Sequence, residues 1–443
     1  MKEFNQAIKS EVKEAVTPEL GVFEESSELK KVMMWGLPGA ETVLGQLLPK
    51  SKSCFEKSFD VLKARTELQA ARELIESHGA EVFIVKDEWA KMINDRGIDS
   101  GQTMFELKQE LRERGVYLFD KYKIDREKEI STEKHNVLKE GGVFEEPAGL
   151  EVLDILNQVL DADVEKYGEN AAVVMNRKLS LEGYTCKDGE KLPLSNMFYT
   201  RDQSNLLGKT WVWSSMRHDI RKSEVSIYKE VVRYSGLLQD QDITEIEVRE
   251  NEGRGLFEGG DGIVNNGIAY IGLGGRTDLD GIMQIAKPIL ESGLRVLVVR
   301  DRERSRMDKD HMDAMHLDTF FMPTDVNQAV ACEDEIAKRK VYEIICDDAK
   351  ELGVRPIYLG TFQEHLNDRG VEMVPITKEE QLAYAPNFLN LGQDDIILSR
   401  TDKNNLIHEL TIRGKEVSNV DFQEVTKGYG GLHCATASIS RVK

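Results

Sequence analysis

Strands alternating with amphipathic helices predict an α/β protein, and three observations carry that expectation. Short β-rich runs recur along most of the chain, apolar residues at helical spacing fall between them, and no Pro- or Ser-rich linker divides the chain into independent parts. The chain has 443 residues, enough for about three average domains or for one large α/β body with an ample core. The second is the more economical.

The elements follow in order. Met1 to Val16 alternates charged and apolar residues in a helix-like stretch with no secretory h-region. Lys30-Lys-Val-Met-Met-Trp35 is the first strand, ended by Gly36-Leu37-Pro38-Gly39. Leu62, Leu68, Ala71, Leu74 and Ile75 give Phe59 to His78 one apolar helical face, and Gly79 stops it. Glu81 to Val85 is a strand again. This strand–turn–helix–strand unit returns in altered form downstream.

From about Ser100 to Gly168 dense charge at helical period, with regular Leu, Ile and Val spacing, predicts an insertion of four packed helices. Beyond Ala171 strands resume at Trp211-Val-Trp, Thr244 to Val248, Ile263-Val, Ile268 to Gly272, Leu294 to Val299, Thr319-Phe-Phe and Ile396-Ile-Leu. Helices intervene over Asp280 to Ser292, Lys378 to Tyr384 and Leu406 to Gly414. The expected organisation is a first module with an N-terminal extension (1–99), a helical insertion (100–170) and the remaining modules (171–443).

Charge narrows the function. With 59 Lys+Arg against 79 Asp+Glu the net charge is −20, and no basic cluster exists, so neither nucleic acid nor an anionic membrane surface is an expected partner. No apolar run approaches the roughly 20 residues of a membrane span. The five cysteines form no C-x-x-C pair, and reduced thiols in a cytoplasm are the expectation.

Four segments concentrate ionisable residues at element ends. In Asn196-Met-Phe-Tyr-Thr-Arg201-Asp202 the Arg–Asp pair alone reads as a surface ion pair. Glu258-Gly-Gly-Asp261 sets two acids beside glycines that let backbone approach a ligand closely. In His316-Leu-Asp318, placed on a strand, both side chains would share a face. Gly428-Tyr-Gly-Gly431-Leu-His-Cys434 sets a thiol in a glycine-rich loop, exposed or half-exposed, where it has little packing value and serves as a nucleophile. Acids call for a cation, two carboxylates suit a planar guanidinium, and Cys with His supports nucleophilic attack with proton transfer.

In this order, and joined by Met216-Arg217-His-Asp-Ile-Arg221 and Gly275-Arg276-Thr277, these motifs resemble those of the guanidino-group-modifying, or pentein, superfamily, and within it arginine deiminase. The resemblance runs from about Lys30 to Cys434. It implies a five-fold pseudosymmetric α/β propeller of ββαβ-type modules, with the helical insertion that sets arginine deiminases apart from smaller relatives. It further implies that Asp202 and Asp318 hold the guanidinium nitrogens. Glu258 would bind the same group and orient His316, the general acid and then base, and Cys434 would be the nucleophile. Asn196, Arg221 and Arg276 would grip the substrate α-carboxylate, and Gly431 would close the loop around the reacting carbon.

The implied reaction converts L-arginine to citrulline and ammonia through a covalent amidino-cysteine, with no metal and no organic cofactor. Homo-oligomers are common in the family. Two features depart from its pattern: Tyr199 stands where Phe is frequent, and Lys427-Gly428-Tyr429 stands where a loop Arg is frequent. Phe-His-Cys-x-Thr of the amidinotransferases is close to Leu432-His-Cys-Ala-Thr436, so amidino transfer is the main rival, with methylarginine or citrulline hydrolysis beside it. A metallohydrolase using His311, Asp313, His316 and Asp318 is the remote one.

Overall fold

The computed structural model describes residues 19–139, 144, 147, 149–301, 314–347, 353–392, 394–400 and 406–442. The helix-like stretch expected before Val16 and the residues His311 and Asp313 lie outside these. The fold is mixed α/β, and five of its sheets share one pattern: an antiparallel pair whose second strand takes a parallel third strand. Ser204–Leu207 pairs antiparallel with Thr210–Trp213, which pairs parallel with Thr244–Glu247. Gly262–Asn265, Ile268–Leu273 and Arg295–Arg300 repeat this arrangement. So do Phe321–Asp325, Gln328–Cys332 and Glu372–Ile376, and Leu389–Gly392, Asp395–Arg400 and Glu416–Asp421.

Parallel pairing requires a crossover, and helices supply it: Asp219–Tyr234 in the first of these units, Leu279–Glu291 in the next, Leu406–Thr411 in the last. The second of these is capped by Asp278, which accepts a hydrogen bond from the Gly281 N–H at 2.8 Å.

The fifth sheet joins the two ends of the chain. Leu29–Met34 pairs parallel with Glu81–Ile84, reached through helix Val61–Ser77, and antiparallel with Ala437–Arg441. The strand that follows Cys434 therefore completes the sheet of the first module. A further hairpin, Lys340–Cys346 with Val354–Thr361, extends the Arg295–Arg300 edge and had no counterpart in the sequence reading.

Between residues 104 and 177 lie helices Met104–Lys121, Lys123–Lys139, Leu156–Tyr167 and Glu169–Arg177. Thr103 and Glu106 form a capping box at the first. Leu107, Leu111, Leu118, Val159 and Leu160 bury into the same apolar cluster as Val32 and Trp35. The helices thus share a core with the first sheet. Within that contact the ammonium of Lys86, wholly buried, meets Asp163 Oδ2 at 2.9 Å.

Candidate active site

Four short chain turns at the ends of different sheets supply the site. Asp202 lies on the single helical turn Thr200–Gln203, directly before strand Ser204–Leu207. Glu258 precedes the 3₁₀ turn Gly259–Asp261, and His316 precedes the equivalent turn Leu317–Thr319. Cys434 sits on the turn Leu432–Ala435, which Gly431 opens. Each turn leads into, or closely precedes, a β-strand, so the sheets set the positions of these side chains.

Two expectations about local structure need correction. His316 and Asp318 are not on a strand. The turn between them sends His316 to Glu258, with Nε2 2.9 Å from Oε2, and Asp318 to the cysteine, with Oδ2 3.6 Å from Sγ. Cys434 is not exposed either; it is 2% accessible. The glycines around it admit close packing rather than solvent: a Cβ on Gly430 would lie 2.6 Å from the ring of Tyr199 and 2.9 Å from the Cβ of Cys434.

Arg201 and Asp202 form no surface ion pair. Arg201 Nε donates to the Thr436 carbonyl at 2.9 Å, and both residues are buried. Asp202 Oδ2 instead accepts from Arg221 at 2.6 Å, and Arg221 is shared with Glu224 at 3.0 Å. Arg276 lies 3.3 Å from Glu258 Oε2. Asn196 donates from Nδ2 to the Ser53 carbonyl at 2.7 Å, and its own carbonyl lies 3.5 Å from Arg221. Asn196, Asp202, Arg221, Glu258, Arg276, His316, Asp318 and Cys434 are all buried, and short contacts link most of them.

Charge sets the protonation of the group. Burial alone would push the His316 pKa down, but the Asp202 charge, the Glu258 hydrogen bond and Asp261 lift it to about 9, so the imidazole is protonated at neutral pH. Burial would raise Glu258; Arg276 above all, then His316, holds it well below the usual carboxylate range. Asp318 is likewise lowered against burial by its bond to His433. Burial, then Asp318 and Asp202, push the Cys434 thiol well above its ordinary value, with the Asn387 hydrogen bond opposing. Burial above all raises Asp261 to about 7.

Three buried polar atoms of this cluster carry no hydrogen bond among the described residues: Asp202 Oδ1, Asp318 Oδ1 and His316 Nδ1. Two carboxylate acceptors with unused capacity suit a ligand made of N–H donors, because a buried acceptor without a donor is costly. Asp202, Glu258 and His316 also offer ligand atoms within 4.8 Å of one another, a span that a metal ion fits. The Arg276 charge on Glu258 and the proton on His316 both oppose a further compact cation there.

Several contributors escaped sequence reasoning. Asn387, wholly buried, contacts Cys434 Sγ at 3.1 Å. His433 bridges Asp318 at 2.7 Å and Glu25 at 3.4 Å. Glu25 in turn meets Arg441 at 3.2 Å and Arg201 at 3.7 Å. His433 stood inside a recognised motif without a role; Asn387 and Glu25 stood in none. Asn387 and His433 are polar side chains beside apolar ones, a pattern too common to single them out, and Glu25 lies in the polar run Glu24-Glu-Ser-Ser27, which reads as surface.

A model of the family described as arginine deiminase matches residues 161–441. The uncharacterized protein YkgA of Bacillus subtilis is 24% identical over 248 residues, 56% of this chain and 71% of its own. The arginine deiminase of Listeria innocua is 23% identical over 260 residues, 56% of this chain. The match spans 62% of that enzyme, less than two thirds of its length. Among solved structures, a dimethylarginine dimethylaminohydrolase adduct with S-methyl-L-thiocitrulline superposes with a TM-score of 0.51 at 14% identity, covering 94% of this chain and 100% of its own. The Pseudomonas aeruginosa enzyme complexed with citrulline gives 0.50 at 14% identity and the same coverage. At that identity the likeness is one of fold.

Proposed function

The chain belongs to the arginine deiminase family, and on that premise we propose that it hydrolyses the guanidinium group of L-arginine to citrulline and ammonia, with Cys434 as nucleophile. The observation that carries this reading is the pair of buried, unsatisfied carboxylate oxygens, Asp202 Oδ1 and Asp318 Oδ1, one in contact range of the imidazole and the other on the residue beside the thiol. A planar cation with N–H groups satisfies both.

In this mechanism the arriving guanidinium lowers the thiol pKa by its charge, the thiol releases its proton to solvent water, and the thiolate attacks the central carbon. His316 starts protonated, gives its proton to the departing nitrogen and leaves ammonia and an amidino-thioether. The now neutral imidazole takes a proton from water, whose oxygen attacks the same carbon; the carbon–sulfur bond breaks and the ureido product leaves. Glu258 holds the imidazole through Nε2. Asn196, Arg221 and Arg276 are assigned to the substrate carboxylate, with Gly431 closing the loop. No metal or cofactor takes part. Beside the site, the Glu56 and Lys57 N–H groups bond to the Lys427 carbonyl at 2.9 and 3.0 Å.

We also assign the five like-patterned sheets to the five modules of the pentein propeller, with residues 100–170 as a helical insertion between the first module (1–99) and the remaining ones (171–443). The test is incubation with L-arginine, agmatine and methylated arginines while ammonia and ureido product are scored. Equal citrulline and ammonia from arginine, abolished in Cys434→Ser, is the expected result. Ammonia release that survives in Cys434→Ser removes the sulfur from the mechanism. Amidine transfer to an added amine, without ammonia, indicates the transferase.

A further inference from the structure

We propose that Asn387 is a catalytic residue of this site, donating a hydrogen bond to the Cys434 sulfur that favours the thiolate over the thiol. This deepens the reading of Cys434 as nucleophile and rests on it.

The orientation of the Asn387 amide follows from its surroundings. Its Oδ1 faces two backbone donors, the N–H groups of Gly431 and Cys434, each at 3.0 Å. An NH₂ group in that position would set donor against donor, so the oxygen belongs there and the nitrogen faces the other way. Nδ2 then has one hydrogen for the Asp318 carbonyl at 3.3 Å and one for Sγ at 3.1 Å. The Asn387 carbonyl also accepts from the His433 N–H at 3.2 Å. Gly431 is needed for this approach, since a Cβ there would meet the Asn387 Oδ1 at 2.9 Å and its backbone oxygen at 3.0 Å.

The groups facing Cys434 make such a donor consequential. Asp318 and Asp202 oppose a negative sulfur, and Tyr199 and Tyr384, both buried, couple to it from adjoining loops. His433 has its Nδ1 on Asp318 rather than on the sulfur. Among the described residues, Asn387 offers a side-chain N–H to the sulfur, beside the backbone N–H of Gly431.

Asn387→Asp separates this role from a purely structural one. The aspartate keeps the oxygen that receives the Gly431 and Cys434 N–H groups but replaces the donor with an acceptor. The expected result is a fall in kcat of about 10- to 100-fold, the range of one hydrogen bond to a charged atom, with KM little changed. Iodoacetamide labelling of Cys434 at constant pH, followed by peptide mass spectrometry, should slow in step. The exposed Cys346 serves as internal reference. Asn387→Ala should move both readouts the same way. Parental kcat in Asn387→Asp overturns the proposal, and so does a lowered kcat with Cys434 labelling at the parental rate. Failure of the underlying reading is distinct: turnover would then persist in Cys434→Ser.

Discussion

At the scale of single residues, the site is a set of buried charges that fix one another's protonation. His316 is the clearest case. Its folded pKa of about 9 exceeds the ordinary value of 6.5, so its contribution to stability is full below about 6.5 and is lost as pH rises through 9. If His316 is the general acid, kcat should decline over the same alkaline range as the imidazole deprotonates. Glu258→Gln removes both a charge and an ionic acceptor from His316, and should move that decline to lower pH by a unit or more, on the order of the shifts such partners cause. A pH profile of kcat for the two proteins checks this. An alkaline limb that stays in place would mean that Glu258 does not set the His316 proton.

At the scale of elements, the glycine loop is shaped by what it packs on. Tyr199 lies beneath it and donates from its hydroxyl to the Val425 carbonyl at 2.5 Å. A Cβ on Gly428 would lie 2.4 Å from that hydroxyl oxygen. Gly428→Ala should therefore destabilise the protein by about 1–3 kcal/mol, the usual cost of overpacking, and lower turnover by displacing the Cys434 turn. Tyr199→Phe alone costs about 1 kcal/mol for the lost hydrogen bond. Combined, the two should cost less than their sum, because the second removes the atom with which the first collides. Denaturant midpoints of the three variants decide it. Other elements hold the loop from outside: Glu67, on helix Val61–Ser77, accepts from the Glu424 and Val425 N–H groups.

At the scale of the whole molecule, the two ends of the chain close one sheet, and the site depends on that closure. Strand Ala437–Arg441 begins three residues after Cys434 and pairs with Leu29–Met34. Glu25, before that first strand, lies against Arg441, Arg201 and His433, and these partners hold its carboxyl far below the usual range despite burial. Glu25→Gln leaves two buried arginines without their counter-charge and should lower stability by about 3–5 kcal/mol. Turnover should fall with it, since His433 and the Cys434 turn share the network. Equilibrium unfolding at pH 7 measures the first effect; a loss below 1 kcal/mol would show that the ends are held by strand pairing alone.

Residue identity and order were enough to determine an α/β class, most strand and helix positions, and which ionisable residues to look for together, because periodicity is local and because acids, imidazole and thiol each have a restricted chemistry. They were not enough to tell which carboxylate meets which partner. Arg201 stands next to Asp202 in sequence yet bonds elsewhere, and Arg221 takes its place. Nor did local pattern distinguish an exposed thiol from a buried one, or single out Asn387 among other polar residues. Those outcomes depend on contacts between segments as much as 416 residues apart, as with Glu25 and Arg441. Pairing and burial are decided where the chain packs, and only the packed chain brings those segments together.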